Sequence, residues 1–168
     1  MSTAASPTPP TAAASNTFIT PEAMLQHWQG HRRLTRRMIE AFPEDQLFAF
    51  SIGGMRPFGA LAWEVVLMAA PTVRGIATGD WAETDWKAAP PPRDELLRQF
   101  DEGTAEIARL WPTISGERFH ETVTAFGMYT GPAHDLLLYT IDNEIHHRGQ
   151  GYVYLRALGI EPPAFYER

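Results

Sequence analysis

Apolar positions recur every three or four residues through four stretches of the chain, and each stretch is bounded by helix-ending signals. The first begins after Thr20, a suitable N-cap, with Pro21 at the first helical position. Met24, Trp28, His31, Thr35, Met38 and Phe42 form its stripe, Leu25, Leu34 and Ile39 broaden it, and Pro43 stops it. Leu47 to Met55 reads as an apolar connection through Gly53–Gly54. Pro57 opens a second helix over roughly Phe58 to Thr78, apolar nearly all round as in a helix buried among others. Pro71 falls inside it and predicts a kink or a local break. Gly79 to Pro92 is a loop carrying two tryptophans. A third helix runs from about Arg93 to Trp111, with Leu96, Phe100, Thr104, Ile107 and Trp111 inward and Pro112 at its end. Ser115 to Thr130 leaves room for a short extended segment. A fourth helix spans about Ala133 to Leu158, capped by Gly159 and blocked by Pro162–Pro163.

Four such segments without a strong strand pattern predict an all-α fold, a four-helix bundle. The first two inter-helix connections are too long for a minimal up-down bundle, so they are expected to wrap its ends. Residues 1–17 are almost entirely Ala, Ser, Thr and Pro and predict a disordered tail; residues 18–168 form the domain.

Composition narrows the function. The chain of 168 residues carries 14 Lys+Arg against 20 Asp+Glu, a net charge of −6, and no basic block. No nucleic-acid partner is therefore expected. The absence of cysteine excludes disulfides, thiolate zinc sites and cysteine nucleophiles, so any metal must be held by His, Asp, Glu or weaker oxygen ligands. No run of 18 apolar residues occurs, so no membrane span is expected. The first residues lack the basic start and apolar core of a signal peptide, which makes a cytoplasmic protein the expectation. Ser51, Ser115 and Thr130 lie in no GxSxG elbow, and neither GxGxxG nor GxxxxGK[ST] occurs.

Three places put ionisable groups where the pattern asks for apolar ones. The first is Asp142 to Gln150 on the fourth helix. Asn143 and Glu144 both lie one turn before His147, and Glu-x-x-His is a metal-carboxylate spacing in bundles. The same residues also fit a solvated Glu144–Arg148 pair at i,i+4 beside partly buried histidines. The second is Glu64, in the most apolar stretch of the chain. Its carboxylate needs a metal, or an Arg or His⁺ from another helix, as partner, unless it lies on an exposed face of its helix. The third is His27 and His31, spaced to chelate a metal or to stand as hydrogen-bonded boundary histidines. His120 and His134 read as single surface or loop residues, and Tyr152, Tyr154 and the tryptophans as core or interface.

The run HHRGQGYVYLRALGIEPP, from His146 to Pro163, resembles the C-terminal signature of the DinB-like family of damage-inducible four-helix proteins. The resemblance covers about Phe18 to Pro163 and implies a divalent metal near the centre of the bundle. In the family three histidines usually hold it, one from the second helix and two from the fourth at i,i+4. His147 matches the last of these; the position four residues earlier is Asn143, and the second helix has Glu64 but no histidine. The resemblance thus implies mixed ligation by Glu64, Glu144 and His147, with Asn143 as substitute or helper. Such a set suits Zn, Ni, Mn or Fe. It further implies a homodimer and an enzyme acting on a small-molecule substrate, either a thiol S-transferase using a low-molecular-weight thiol or a hydrolase. Arg148 would orient an anionic substrate or the thiol. The alternative is a non-catalytic dimeric bundle, binding a ligand or purely structural, whose metal site has degenerated.

Overall fold

The structure is a computed structural model that describes residues 18–81 and 83–168; the tail read over residues 1–17 lies outside the described residues. Five helices and a hairpin follow in chain order. Helix α1 is Pro21–Ala41, α2 Glu44–Leu47, α3 Phe58–Thr78, α4 Arg93–Leu110 and α5 Ala133–Ala157. Strands β1, Thr122–Ala125, and β2, Tyr129–Pro132, pair antiparallel between α4 and α5, with Val123 opposite Gly131. The four long helices form the expected bundle. Helix α3 packs mainly on α5 and α4, and α1 closes the bundle against the same two.

The boundaries follow local chemistry. Thr20 Oγ1 accepts a hydrogen bond from the Ala23 amide (3.2 Å), and Pro21 occupies the first turn, where its missing N–H costs nothing. Gly159 turns left-handed (φ 76°) just beyond α5. Helix α4 stops at Leu110, and Trp111–Thr113 tightens into a 3-10 turn around Pro112.

Three features differ from the sequence expectations. Helix α3 continues through Pro71, so of the kink or break expected there the break does not occur; the surrounding core holds both halves although one backbone donor is missing. The first connection contains α2, a single turn too short for periodicity to reveal. By length and composition α3 would suffice to cross a membrane, although no run of 18 apolar residues occurs in it; eleven of its residues are buried within this domain.

Close approach tightens the bundle at two glycines. A Cβ at Gly151 on α5 would stand 2.6 Å from the Phe58 ring, so glycine lets the start of α3 settle against α5. A Cβ at Gly75 would stand 2.3 Å from the Trp81 ring, which pins the loop after α3 onto that helix.

The core comes in two apolar clusters. One gathers Trp28, Val73, Ile76, Ile107 and Ile141; the other gathers Met38, Phe42, Phe58, Phe100 and Tyr154. Each fully buried side chain of this size contributes roughly 1.5–3 kcal/mol. Between the clusters all four long helices present polar groups that form a polar waist. Helix α1 brings His31, Arg32 and Thr35, α3 Glu64, α4 Thr104, and α5 Asn143, Glu144, His147 and Arg148.

Candidate functional site

Helix α5 divides the waist into two clusters, because residues 143 and 147 share one face and residues 144 and 148 the next. On the α3 side, His147 Nε2 lies 3.0 Å from Glu64 Oε1. Asn143 Nδ2 donates to the same oxygen at 3.1 Å and lies 3.2 Å from His147 Nε2. Arg56 Nη1 donates to Glu64 Oε2 at 2.6 Å. The Tyr154 hydroxyl donates to the Arg56 carbonyl (3.1 Å), so α5 also fixes the backbone that carries this arginine. The hydrogen bond from His147 holds the Glu64 carboxyl well below its usual range, at about 2, with Arg56 and Asn143 adding to it against partial burial. Asn143 Oδ1 and His147 Nδ1 are buried without hydrogen-bond partners among the described residues.

On the α1 side, Glu144 is only 1% exposed. Trp28 Nε1 donates to its Oε2 at 3.0 Å and Thr35 Oγ1 to its Oε1 at 2.6 Å. Arg32 Nη1 stands 3.5 Å from Oε2. That guanidinium is itself buried over the Phe100 ring (3.7 Å) and donates to Thr104 Oγ1 and the Phe100 carbonyl. Arg148 donates to Thr35 Oγ1 (3.0 Å), the His31 carbonyl (3.2 Å) and His31 Nδ1 (2.8 Å).

Glu64, Asn143 and His147 therefore come together, as expected from the sequence, and Glu144 does not join them. Its carboxylate points into the α1 side and is fully occupied there, so the structure corrects its reading as a ligand alongside His147. The solvated Glu144–Arg148 pair is corrected as well: both residues are buried, and the carboxylate's cationic neighbour is Arg32. Arg148 also faces α1, which separates it from any substrate held at His147. Glu64 is half-buried and meets His147 from another helix, α5, and also Arg56, which comes from the connection before its own helix and not from another helix.

His27 and His31 do meet, Nε2 to Nε2 at 3.1 Å. Because arginine only donates, the contact from Arg148 makes His31 Nδ1 an acceptor, and Arg168 Nη1 stands 3.1 Å from Nε2, so two cations face this ring. Burial, followed by Arg148, Arg168 and His27, pulls the His31 imidazole down from 6.5 to about 4. Between these values the unfolded chain binds a proton that the folded chain refuses, so stability falls as pH drops through this window. The expected loss is on the order of 2–3 kcal/mol. Urea midpoints near pH 7 and about pH 4.5 should show this fall, and His31→Asn should flatten it. His120 and His134, read as unrelated, have ring centroids 5.3 Å apart beside the hairpin.

Sequence reasoning missed Arg56 and Arg32. Arg56 lies in an irregular connection where no period reports which way it points. Arg32 sits in the HRRLTRR run, which reads as solvated, yet it is one turn after Trp28 on the buried stripe.

Comparison with known proteins fixes the lineage. The DinB family pattern matches residues 13–168. The chain belongs to the DinB family. A DinB-like crystal structure from Bacillus cereus superposes with a TM-score of 0.70 at 22% identity, covering 86% of this chain and 97% of that one. A second DinB-like structure, from Bacillus subtilis, gives 0.67 at 19%, with 86% and 99% covered. The crystal structure of the mycothiol-dependent maleylpyruvate isomerase gives 0.58 at 17%, covering 79% of this DinB chain and 61% of the isomerase. At these identities the likeness shows a shared fold. No curated protein matches the chain in sequence.

Proposed function

We propose that this DinB protein holds one divalent transition metal between Glu64, His147 and Asn143 and uses it, with a low-molecular-weight thiol, to transfer a thiol to a small electrophile. The observation carrying this reading is the mutual spacing of the donors, 3.0–3.2 Å among Glu64 Oε1, His147 Nε2 and the Asn143 amide. Three ligands on one face of an ion at about 2.1 Å stand about 3 Å apart, so a metal fits where the hydrogen bonds now converge. Rotation of the Asn143 amide would turn its unpartnered Oδ1 inward. The donor set is lean: among the described residues no group of three His, Cys, Asp or Glu side chains could hold a metal, so the amide must complete it.

Glu64, His147 and Asn143 would hold the metal, and the chemistry it would supply is a lowered thiol pKa, so that a thiolate is available at neutral pH. The chain's own residues do the rest. Glu64 stays ionised through the physiological range and supplies negative charge to the site. Arg56 balances part of that charge and stands half-exposed at the rim of a cavity of about 250 Å³ with Glu64, Trp63, Leu67 and Trp86. It can orient an anionic electrophile against the two tryptophans. The mycothiol-dependent isomerase that shares the fold supports the thiol. The cytoplasm, with its thiol pool, is the matching compartment. Exposed Leu138, Tyr139 and Val153 on α5 support a homodimer.

Elemental analysis of untagged protein, reconstituted with Mn, Fe, Ni or Zn, tests the site. About one metal per wild-type chain is expected, lost in His147→Ala and Glu64→Ala and retained in Glu144→Gln. Addition of a thiol to the cobalt-substituted protein should produce a thiolate absorption band. A wild type that binds none of these metals would overturn the reading and leave a ligand-binding or structural bundle.

A further inference from the structure

A second cavity, of about 500 Å³, lies between α5 and the chain that follows it, and the proposed metal chemistry makes no use of it. Arg148 and Arg156 reach it from α5, and Tyr152, Pro163, Phe165 and Tyr166 form much of its apolar wall. These positions on α5 lie round the helix from His147, with Tyr152 and Arg156 nearly opposite it. The Tyr152 hydroxyl donates to the Pro163 carbonyl at 2.7 Å and ties the C-terminal segment across the opening.

Charge gathers here against the trend of the molecule. The chain is acidic overall, yet burial pushes the Tyr152 phenol up while four guanidiniums, Arg148, Arg37, Arg156 and Arg168, pull it down. The acids in reach are held loosely, Glu161 at 3.7 Å from Arg156 and Glu167 at 3.9 Å from Arg37. Among the described residues no carboxylate comes within 4.0 Å of Arg148, although this guanidinium is only 6% exposed. Its hydrogen bonds go to Thr35 and His31, and Glu144, beyond Thr35, is its counter-charge without direct contact, so the guanidinium has no ion pair of its own. Phe165 and Tyr166 flank the cavity with 64% and 72% of their surface open to water. Two of these cations, Arg148 and Arg156, line the cavity itself against one loosely held acid, Glu161, which leaves room for an anion. The aromatic wall leaves apolar surface for that anion to cover.

We propose that this cavity is a binding site for a small aromatic carboxylate, whose carboxylate meets Arg148 and Arg156 and whose ring packs against Tyr152 and Phe165. A bare inorganic anion would satisfy the arginines and leave the aromatic wall wet. A neutral aromatic would leave the arginines unpaired. The site is independent of Glu64 and His147 and stands whether or not a metal binds there.

Saturation-transfer NMR titrations with benzoate, benzyl alcohol and inorganic phosphate test the proposal. Arg156 is largely exposed and makes only loose contacts among the described residues, with Glu161 at 3.7 Å and over the Tyr152 ring at 5.8 Å, so Arg156→Gln leaves the fold in place, whereas Arg148 braces α1 and is a poor first target. Benzoate should bind the wild type. Arg156→Gln should weaken it about tenfold, the value of one hydrogen bond to a charged group, and Phe165→Ala should weaken it as well. Benzyl alcohol should not compete, and His147→Ala should bind benzoate like the wild type. No benzoate binding at millimolar concentration would overturn the proposal. So would binding indifferent to Arg156→Gln, binding lost in His147→Ala, or phosphate binding as tightly as benzoate.

Discussion

Glu144→Ala is expected to destabilise the protein by about 3–5 kcal/mol, the cost of leaving a buried charge without its partner. The mutation takes the carboxylate away from Arg32, which is buried and cannot shed its charge, and leaves Trp28 Nε1 without its acceptor, while Thr35 Oγ1 falls back on the His31 carbonyl at 3.1 Å. Glu64→Ala provides the internal comparison. That carboxylate is half-buried and its arginine partner reaches water, but His147 Nε2 and Asn143 Nδ2 also lose it, so its loss should cost about 1–2 kcal/mol, well short of Glu144→Ala. Urea unfolding of the two variants beside the wild type reads the difference directly. The double variant Arg32→Met/Glu144→Leu should recover much of the loss, because it removes the desolvated charges together. A Glu144→Ala variant as stable as Glu64→Ala would mean that the α1 side of the waist is wet, and the reading of Glu144 as the internal counter-charge would fail.

The contrast between these two glutamates shows what the sequence could and could not reveal. The four long helices were legible because each repeats its apolar positions at helical spacing and ends at Pro or Gly. The existence of a polar layer was legible too, since Glu64 and the Asp142–Gln150 run interrupt otherwise apolar faces. Which side of α5 each member serves was not. Neighbouring residues on a helix differ by about 100° in direction, so Asn143 and Glu144 look interchangeable one turn before His147 until the packing of α5 is known. That packing depends on all the helices together: Trp28 and Arg32 claim Glu144, and Glu64 with Arg56 claims the other face. Family resemblance pointed to the position of Asn143 through the missing histidine, whereas spacing alone favoured Glu144 equally. Arg148 illustrates the same limit. Its charge suggested a substrate contact beside His147, and the helix turns it toward α1 and the second cavity instead.

Asn143→His is expected to tighten binding of zinc or nickel tenfold to a hundredfold, about 1.4–2.8 kcal/mol, relative to the wild type. An amide oxygen is a weak donor for these ions, whereas imidazole is among their preferred ligands. Position 143 already directs its side chain to within 3.2 Å of His147 Nε2 and 3.1 Å of Glu64 Oε1, so a new imidazole arrives on a face built for it. The residue is half-buried in the middle of α5 and caps no helix, and its Oδ1 has no partner to lose. The substitution should therefore leave urea stability nearly unchanged in the absence of metal while raising the melting temperature in its presence, since a ligand that binds only the folded chain stabilises it. Competition with a chelator of known affinity measures the gain. Glu144→His, one residue further along, should give no gain in affinity and should unfold readily, because it sends an imidazole into the Arg32 cluster. Equal tightening by both variants would show that the two faces of α5 are not separated as the structure has them, and the assignment of Glu64, Asn143 and His147 to one centre would fall with it.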